Sequence, residues 1–326
     1  MSRIETISTG KINYSKVGYC SDIDKIARYK MQYGDILFSH INSIKHIAKT
    51  AYYIAEKPLY HGMNLLLLRC NNNVDSKFFF YLINNIRFIR RCQVLAKQAV
   101  NQASISTSDL KRLMVFIPCQ KEQIRIQQLL SLIDDRIATQ RKIIEKLESL
   151  MRGIAVSFTA QKPNTKISDC LICHSSTLQE NQVTSSGEYQ VYGANGVCGF
   201  TDQPEVKTDS ILIVKDGSGV GTVHYAEGAY SVIGTSNYLT AKDGYLLKYL
   251  YYCLMCFNFT PYKTGMAIPH IYFKDYGKAK IYCPSIDEQI QIATILSKLD
   301  DKIENEKTIL QQYTIQKQYL LQQMFI

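Results

Sequence analysis

The cysteines of this chain have two spacings that could hold a metal centre. The motif CLICH, residues 170–174, has the C-x-x-C-H spacing of c-type haem attachment, and its thiols could join Cys253 and Cys256 in a four-thiolate zinc site. Haem attachment of this kind belongs to exported proteins, and the N-terminal sequence MSRIETISTG lacks the apolar core of a signal peptide. Cys253 and Cys256 lie within the apolar, helix-like stretch LLKYLYYCLMCF, where small core residues are expected. The cysteines are therefore predicted to be reduced, mostly buried and free of metal.

A glycine-rich stretch and two aspartate pairs could indicate nucleotide binding or acid–base catalysis. The stretch GSGVG, residues 217–221, leads into strand-like TVHY, so no helix N-terminus follows to bind a pyrophosphate. The chain has no phosphate-binding G-x-x-x-x-G-K-[ST] motif. The pairs Asp134-Asp135 and Asp300-Asp301 fall on the polar side of helical patterns, where a solvated face or a partner contact is expected. These patterns predict a non-catalytic binding protein with no cofactor of its own.

Loops in both halves of the chain carry side chains that can read nucleic-acid bases. Sequence readout needs hydrogen-bond donors and acceptors that reach base edges from loops or helix ends. In the first half these side chains are Lys11, Asn13, Tyr14, Lys16, His40, Asn42, Ser43, Lys45, His46, Gln98, Asn101, Gln102 and Ser104. In the second half they are Tyr192, Asn195, Lys215, Asp216, Ser218, Lys263, Thr264 and His270. Any one of them could be an ordinary polar loop residue. Because the two sets occupy matched places and differ in identity, they predict recognition of two different half-sites in double-stranded DNA.

A long helical pattern occurs twice and must position these loops. EQIRIQQLLSLIDDRI at residues 122–137 recurs as EQIQIATILSKLDDKI at residues 288–303, which is 166 residues later. Apolar residues in both copies alternate steps of four and three, the spacing of a coiled-coil seam. The predicted seam residues are Ile126, Leu130, Ile133, Ile137, Ile144 and Leu147 in the first copy, and Ile292, Leu296, Leu299, Ile303 and Leu310 in the second. A polar residue interrupts the seam at the same place in both copies, Gln140 and Glu306.

Each copy predicts a helix of about 33 residues, which corresponds to about 50 Å. A helix of that length with a narrow apolar seam needs a partner helix, and the other copy is the nearest one. An antiparallel pair within the chain is favoured, because the first helix leads away from the first domain and the last helix must return. Pairing of the helices with another chain is the alternative.

The segments between the helices also repeat, with weaker identity. GDIL, residues 34–37, corresponds to DSIL, residues 209–212, and an amphipathic helix at residues 76–91 corresponds to one at residues 246–257. The predicted organisation is a first domain at residues 1–118, a first long helix at 119–160, a second domain at 161–284 and a second long helix at 285–326. The fold class is α+β, with two similar domains separated by a pair of long antiparallel coiled-coil helices in a pseudo-twofold tandem repeat. The first domain is predicted to lack a counterpart of the opening strand at residues 166–172, so it would read DNA poorly or be completed by another chain.

Basic charge is concentrated in the first domain. Residues 1–118 hold 17 Lys and Arg against 7 Asp and Glu, whereas residues 161–284 hold 10 of each. A basic domain favours a polyanionic partner, most simply nucleic acid. The second domain has no net charge, so it would have to bind such a partner through individual side chains and not through bulk charge. The helical segments are nearly neutral, which argues against them as the main DNA-binding surface. No apolar run reaches the roughly 18 residues of a membrane span, so a cytoplasmic chain without membrane contact is expected.

Several of these features together resemble a known family, the specificity (S) subunits of type I restriction–modification systems. The resemblance is carried by the two helix repeats with their preceding Pro118 and Pro284, their EQI starts and their DDRI and DDKI centres. GDILFSHINS at residues 34–43, YQVYGANG at 189–196 and LLQQMF at 320–325 are also similar to that family. The resemblance extends over essentially the whole chain, and the repeated architecture is its most specific part.

The resemblance implies a function beyond what the residues indicate alone. Such subunits have no catalytic activity, and each of their two target-recognition domains reads one half of a split DNA sequence through the major groove. The paired helices fix the spacing of the half-sites and dock methyltransferase (modification) subunits, which restriction subunits then join. S-adenosylmethionine, ATP and Mg²⁺ are expected on those partner subunits. The alternative hypothesis is a coiled-coil scaffold or adaptor whose two globular domains bind other proteins.

Overall fold

Two compact units make up the chain in the computed structural model, which describes residues 1–19, 26–99 and 102–325. Unit 1 comprises Met1–Arg141 with Thr308–Ile326, and unit 2 comprises Lys142–Lys307. Each unit contains one globular domain together with part of each long helix. In the part of the chain described, no helix is both long enough and apolar enough to cross a membrane.

The globular part of unit 1 is built from short elements. In chain order these are the 3-10 helices Ile4–Ile7, Tyr14–Lys16 and Ala27–Tyr29, then β1 (Ile36–Phe38), β2 (Ile41–Asn42), the 3-10 helix Ile44–His46, β3 (Thr50–Tyr52), β4 (Leu66–Leu68), α1 (Ser76–Ile83), α2 (Ile86–Leu95), β5 (Lys97–Ala99), β6 (Gln102–Ser104) and α3 (Thr107–Lys111).

A three-stranded antiparallel sheet in the order β3-β1-β4 forms the centre of unit 1. Successive side chains of a strand point to opposite faces. Phe38 therefore packs in the core that includes Phe78 of α1, while Leu37 packs in a second core with Ile7 of the N-terminal segment. Because both faces of the sheet are covered, β1 is buried at all three positions.

Residues 76–91 form two helices, so the predicted single helix is wrong. α1 ends at Ile83, and the Asn85 side chain caps α2 by accepting a hydrogen bond of 2.7 Å from the Arg87 backbone N–H. The amide nitrogen of Asn85 also donates to the Leu321 carbonyl near the end of the last helix. Asparagine is a favoured N-cap, and this tertiary hydrogen bond holds it at the break between the two helices.

The globular part of unit 2 repeats this plan with additional strands. In chain order it contains β7 (Thr165–Lys166), α5 (Ile167–Cys170), β8 (Leu171–Ser175), the 3-10 helix Glu180–Gln182, β9 (Tyr189–Gly193), β10 (Gly196–Thr201), β11 (Ser210–Val214), β12 (Val223–Ala226), β13 (Ser231–Val232), β14 (Ser236–Ala241), α6 (Leu247–Cys256), the 3-10 helix Thr260–Tyr262, α7 (Phe273–Tyr276) and β15 (Lys280–Ile281). The first long helix, α4 (Gln120–Thr159), precedes these elements in the chain.

The central sheet of unit 2 has four antiparallel strands in the order β12-β11-β14-β8. β11 and β14 correspond to β1 and β4 of unit 1, and β11 is buried at all five positions. Among the described residues of unit 1, no strand pairs with β4 as β8 pairs with β14. Unit 2 also has a sheet in the order β10-β9-β13 and a two-stranded pair, β15-β7. The central sheets of the two units therefore differ by one edge strand.

The two long helices are α4 (Gln120–Thr159) and α8 (Ile286–Met324), each about 60 Å long at 1.5 Å per residue. Within unit 1 their contacts show an antiparallel pair, because Asp134 meets Lys317 whereas Arg136, further along α4, meets Tyr313, further back along α8. Within unit 2, Lys307 of α8 lies 3.4 Å from Glu148 of α4. The predicted fold class, an α+β tandem repeat with long antiparallel helices, is confirmed.

Side chains of the repeated seam turn away from solvent. Leu130 in unit 1 and Leu296 in unit 2 have no exposed surface, and the remaining predicted seam residues are buried or half-buried. Gln140 and Glu306, the two polar seam positions, are buried as well. Lys302 lies 2.5 Å from the Glu306 carboxylate, one helical turn before it. A charged residue is thus accommodated in the seam beside a cation from its own helix.

Candidate nucleic-acid interface

A two-stranded ribbon in unit 1 brings two of the predicted recognition loops together. β5 (Lys97–Ala99) and β6 (Gln102–Ser104) pair in antiparallel fashion, and β2 pairs with the other edge of β6. The Ile105 backbone N–H donates a hydrogen bond of 2.9 Å to the carbonyl of His40. The polar loop at residues 39–46 and the ribbon therefore lie side by side, although more than fifty residues separate them along the chain.

Unit 2 contains a related hairpin and loop at repeat-equivalent positions, with one pair of ribbon residues where unit 1 has three. Thr264 and His270 exchange two backbone hydrogen bonds of 2.9 and 2.8 Å, which closes a hairpin at residues 264–270. Its outer strand is joined to the loop at residues 215–219, because Gly217 N–H donates to the Pro269 carbonyl and Ile271 N–H donates to the Lys215 carbonyl, each at 2.9 Å. In both units, the loop that follows the central strand is thus hydrogen-bonded to the ribbon.

A third loop of unit 2 borders this cluster. At Ala194 the β9–β10 turn approaches the loop at residues 215–219, because a Cβ at Gly219 would lie 3.9 Å from Ala194 Cβ. The Ala194 carbonyl also lies 3.4 Å from His224 Nε2 on β12. Asn195, at the tip of the turn, is exposed. Tyr192 is half-buried instead, with its ring edge-on to Tyr230 at 5.4 Å between centroids. Asn195 is therefore available to a ligand, whereas the Tyr192 ring packs against the core.

The N-terminal segment of unit 1 uses two of its predicted recognition side chains internally. The carboxamide oxygen of Asn13 accepts a hydrogen bond from Ser15 N–H at 2.9 Å and so caps a 3-10 helix. The Tyr14 hydroxyl donates to the Lys57 carbonyl at 3.3 Å, and the Lys57 ammonium lies over the Tyr14 ring. Lys11 and Lys16 on the same segment remain exposed.

The predicted DNA-binding residues fall into two groups by exposure. The exposed ones are Lys11, Lys16, Ser43, Lys45, His46, Gln98, Gln102, Ser104, Asn195, Ser218, Lys263 and Thr264. The half-buried ones are Asn13, Tyr14, His40, Asn42, Tyr192, Lys215, Asp216 and His270. Asn101 lies outside the described residues. Their contact with DNA remains a prediction, and the exposed group is the one that can reach base edges without rearrangement.

The two loop clusters differ in their electrostatics. In unit 1, burial and then the nearby His61 lower the pKa of His40, which keeps its ring neutral at pH 7, and its Nδ1 has no hydrogen-bond partner among the described residues. In unit 2 the equivalent position is Lys215, whose ammonium lies 3.7 Å from the Asp216 carboxylate. A neutral imidazole both donates and accepts hydrogen bonds, whereas an ion pair presents a fixed donor and a fixed acceptor. The same backbone frame thus presents different hydrogen-bonding groups in the two units.

The residues of the haem-like and nucleotide-like motifs have structural roles. Burial raises the pKa of Cys173 and of Cys253, to about 11 and about 12 respectively, and so keeps both thiols protonated. His174 Nε2 lies 3.0 Å from the Thr240 hydroxyl, and its ring stacks on Tyr238 at 4.8 Å. In the described ranges, no group of three or more His, Cys, Asp or Glu side chains could hold a metal ion. The glycine loop at residues 217–221 leads into the strand β12, as the sequence predicts.

The chain matches the family model for the type I restriction modification DNA specificity domain twice, at residues 2–149 and 167–314. These two matches cover most of the chain. It belongs to that family. The prediction of two related domains in tandem is confirmed, and each unit contains most of one specificity domain.

Individual relatives agree with the family assignment. The chain is 44% identical over 158 residues to a protein of Methanocaldococcus jannaschii named as the MjaX specificity subunit of a type I restriction enzyme, covering 47% of this chain and 37% of the relative. It is 24% identical over 298 residues to a protein of Mycoplasma genitalium named as a type I specificity subunit, covering 83% of this chain and 77% of the relative. The first alignment thus spans little more than a third of its relative, and the second spans about three quarters of its relative.

A solved structure shows the same fold. The crystal structure of a type I restriction–modification S subunit from M. genitalium superimposes with a TM-score of 0.61 at 21% identity, covering 90% of this chain and 83% of that chain. At this identity the likeness is one of fold.

A tyrosine hydroxyl joins each specificity domain to a long helix, and these contacts were not predicted from the sequence. In unit 1 the Tyr81 hydroxyl donates to the Asp134 carboxylate at 2.8 Å, and Lys317 of α8 lies 2.5 Å from the other oxygen of the same carboxylate. In unit 2 the Tyr252 hydroxyl donates to the Asp300 carboxylate at 2.6 Å. The interpretation of both aspartates as simply solvated or partner-binding is therefore incomplete, because each helix uses the first residue of its pair to hold a domain. The recurrence of an aspartate pair at the same place in both helices was the sequence signal that could have indicated this contact.

A glutamine in the EQI start of each helix makes a second repeated contact. Gln123 accepts a hydrogen bond from Asp75 N–H at 2.8 Å and donates to the Pro118 carbonyl at 2.9 Å. Gln289 accepts from Leu246 N–H at 2.9 Å and donates to the Pro284 carbonyl at 2.9 Å. Both glutamines are buried, at 2% and 1% exposure. Each therefore fixes the start of its long helix against the first residues of a domain helix.

We expect Tyr252→Phe to destabilise unit 2 by about 1.5–3 kcal/mol, the range for a hydrogen bond to a charged group. Tyr81→Phe is expected to cost less, because Lys317 still neutralises Asp134 in unit 1, whereas Asp300 loses its hydroxyl donor. Denaturant unfolding of the two variants measures the difference. Tyr319→Phe, at a 60% exposed position on α8, is the control and should leave stability unchanged. Equal losses for Tyr81→Phe and Tyr252→Phe would contradict the role given to Lys317.

Proposed function

We propose that this chain is the non-catalytic DNA sequence-specificity subunit of a type I restriction–modification complex. Each specificity domain reads one half of a bipartite target in double-stranded DNA. The observation that carries this proposal is the repeated frame of ribbon and polar loop. The bond from Ile105 N–H to the His40 carbonyl in unit 1 recurs as the bond from Ile271 N–H to the Lys215 carbonyl in unit 2, and different side chains stand on the two frames. Two half-sites of different sequence require such an arrangement, because the scaffold sets the approach to DNA and the side chains select the bases.

The shape of the ribbons supports a major-groove contact. A two-stranded β-ribbon fits the major groove of B-DNA, where each base pair presents a distinct pattern of donors and acceptors. The unit 1 ribbon carries exposed Gln98, Gln102 and Ser104, and the unit 2 ribbon carries exposed Lys263 and Thr264. Residues 1–118 add 17 Lys and Arg, which attract the phosphate backbone, whereas residues 161–284 are neutral overall. The second half-site is therefore read mainly by specific contacts.

The long helices are proposed to separate the specificity domains and to dock methyltransferase subunits, which restriction subunits then join. S-adenosylmethionine, ATP and Mg²⁺ belong to these partner subunits in this proposal, and the complex works in the cytoplasm, where it meets host DNA. Exposed apolar side chains along the helices support a docking role, among them Leu132, Leu150, Ile290 and Ile315.

We expect Gln98→Ala in unit 1 and Asn195→Ala in unit 2 each to weaken sequence-specific DNA binding. Each side chain is an exposed amide in a recognition loop, and a well-formed pair with a base is worth about 1–3 kcal/mol, so affinity should fall by roughly 5- to 150-fold. The target is first selected from a random duplex library by the full chain within its complex, and affinities for that duplex and for an unrelated one are then compared at fixed salt.

The matched controls replace the same amides on the helices. Gln128→Ala on α4 and Asn305→Ala on α8 remove exposed amides outside the recognition loops and should leave specific affinity unchanged. Failure of the complex to select any duplex would refute the proposed function. Unchanged specific affinity in both loop variants would favour the scaffold hypothesis, in which the globular domains bind proteins.

A further inference from the structure

The tip of the unit 2 ribbon, GMAIP at residues 265–269, presents two large apolar side chains beside polar loop residues. Met266 is fully exposed and Ile268 is 66% exposed. The flanking ribbon residues Lys263, Thr264 and His270 are polar, and so is the adjoining loop at residues 215–219. Single exposed apolar residues are common on protein surfaces, but here two of them stand two residues apart at the tip of the element proposed to enter DNA.

The backbone holds this tip in a defined shape. Thr264 and His270 close the ribbon with two hydrogen bonds, and Gly217 ties its outer strand to the neighbouring loop. Gly265 has φ of +88°, and a Cβ at that position would lie 2.3 Å from the Ile268 carbonyl oxygen, so the turn requires glycine. Met266 and Ile268 are therefore presented by a braced hairpin.

Only one group on the base edges of the major groove is apolar, and it is the methyl group of thymine. An apolar tip on a ribbon that enters the major groove is matched by that group, whereas the other base edges would lose hydrogen bonds to water against it. We infer that Met266 and Ile268 select thymine by packing on its methyl group in the half-site read by unit 2. This inference rests on the proposed function and names the base that one ribbon reads.

The ribbon of unit 1 has contrasting chemistry at one equivalent position. Gln102 stands 166 residues before Ile268, and each lies three residues before the isoleucine, Ile105 or Ile271, that is hydrogen-bonded to the polar loop. A glutamine carboxamide can pair with both N6 and N7 of adenine, a contact that an isoleucine cannot make. Position 268 of unit 2 and position 102 of unit 1 are thus equivalent specificity-determining positions with different bases as partners.

The decisive test compares thymine with uracil, which pairs identically but lacks the methyl group. The full chain in its complex first selects a duplex from a random library, and each thymine of that target is then replaced singly by deoxyuridine. In one half-site we expect affinity to fall by about fourfold for each methyl contacted, the value for one buried methyl-sized group. The doubly substituted variant Met266→Ala with Ile268→Ala should bind the thymine and uracil duplexes equally.

Two further variants test the assignment of position 268. Ile268→Gln should shift the selected base at one position of the same half-site from thymine towards adenine and leave the other half-site unchanged. Ile172→Ala on β8, which removes a 45% exposed isoleucine outside the ribbon, should keep the full thymine-to-uracil difference.

The outcomes separate this inference from the proposed function. Absence of any selected duplex refutes the function and the inference together. A selected duplex whose affinity does not depend on any thymine methyl refutes the inference alone. The inference alone is also refuted if the double variant loses the same factor of affinity for the thymine duplex and for the uracil duplex. Insertion of the tip between base pairs as a wedge would give that result.

Discussion

Replacing Arg69 by methionine is expected to destabilise unit 1 by about 3 kcal/mol, the lower end of the range for breaking a buried ion pair. Arg69 donates to both carboxylate oxygens of Asp35, at 2.7 and 2.8 Å. Asp35 is 1% exposed and stands immediately before β1, so the variant leaves a buried carboxylate without its cation. The lower end of the range applies because Arg69 is itself 45% exposed and solvent already screens the pair.

Denaturant unfolding of Arg69→Met and of the double variant with Asp35→Asn measures this effect. The double variant removes the charge but keeps an oxygen that can accept from Gln32 N–H, which donates to Asp35 at 2.7 Å. It should therefore recover part of the lost stability. A double variant no more stable than Arg69→Met would show that the loss does not come from the unpaired carboxylate.

Aspartate at either of two repeat-equivalent seam positions, Leu130 or Leu296, is expected to abolish stable folding of the unit that contains it. Both leucines have no exposed surface, so each substitution removes a buried side chain and places a charge in the seam. Loss of the leucine alone costs about 2–5 kcal/mol, and burial of the unpaired carboxylate costs several more. The sum is comparable with the whole free energy of unfolding of a typical domain, about 5–15 kcal/mol. Leu130→Asp should act on unit 1 and Leu296→Asp on unit 2.

The neighbouring residues Leu129 and Ile295 supply matched controls, because they are 41% and 46% exposed on the same helices. Leu129→Asp and Ile295→Asp should leave the far-UV circular dichroism and the unfolding midpoint close to those of the parent chain. Limited proteolysis then identifies which unit opens in each seam variant. Cleavage at the same rate in the seam and control variants would contradict the assignment of positions 130 and 296 to the buried face.

The long helices could be predicted closely because their signal is local and repeated. Steps of four and three along the chain place apolar residues on one helix face whatever surrounds them, and a second copy repeats the pattern. The helix break at Asn84–Asn85 could not be predicted in the same way. Residues 76–91 are periodic throughout, and Asn85, which caps the second helix, also donates to the Leu321 carbonyl, which is 236 residues away.

The recognition loops were predicted by composition, and their grouping came from the fold. Polar residues at positions 39–46 and 97–104 suggested base readout separately, but only strand pairing between β2 and β6 places them in one cluster. Asn13 and Tyr14 have the same chemistry as the exposed loop residues, yet they cap a turn and bond to Lys57 instead. Residue type alone cannot distinguish these two uses, because an asparagine can cap its own turn or face a ligand, and the partner of Tyr14 is a backbone group 43 residues away.

By itself, the sequence determined the tandem repeat, the two long helices with their buried seam, the strand after the glycine loop and membership of the specificity-domain family. The repeat, the helices and the strand follow from local periodicity or from comparison of one half of the chain with the other, whereas family membership follows from the match to the family model. Tertiary structure alone decided that Tyr81 and Tyr252 hold the domains to Asp134 and Asp300, and that the ribbons lie beside the polar loops. The physical reason is that these contacts join groups about fifty residues apart, and no local pattern records which distant groups packing brings within hydrogen-bonding distance.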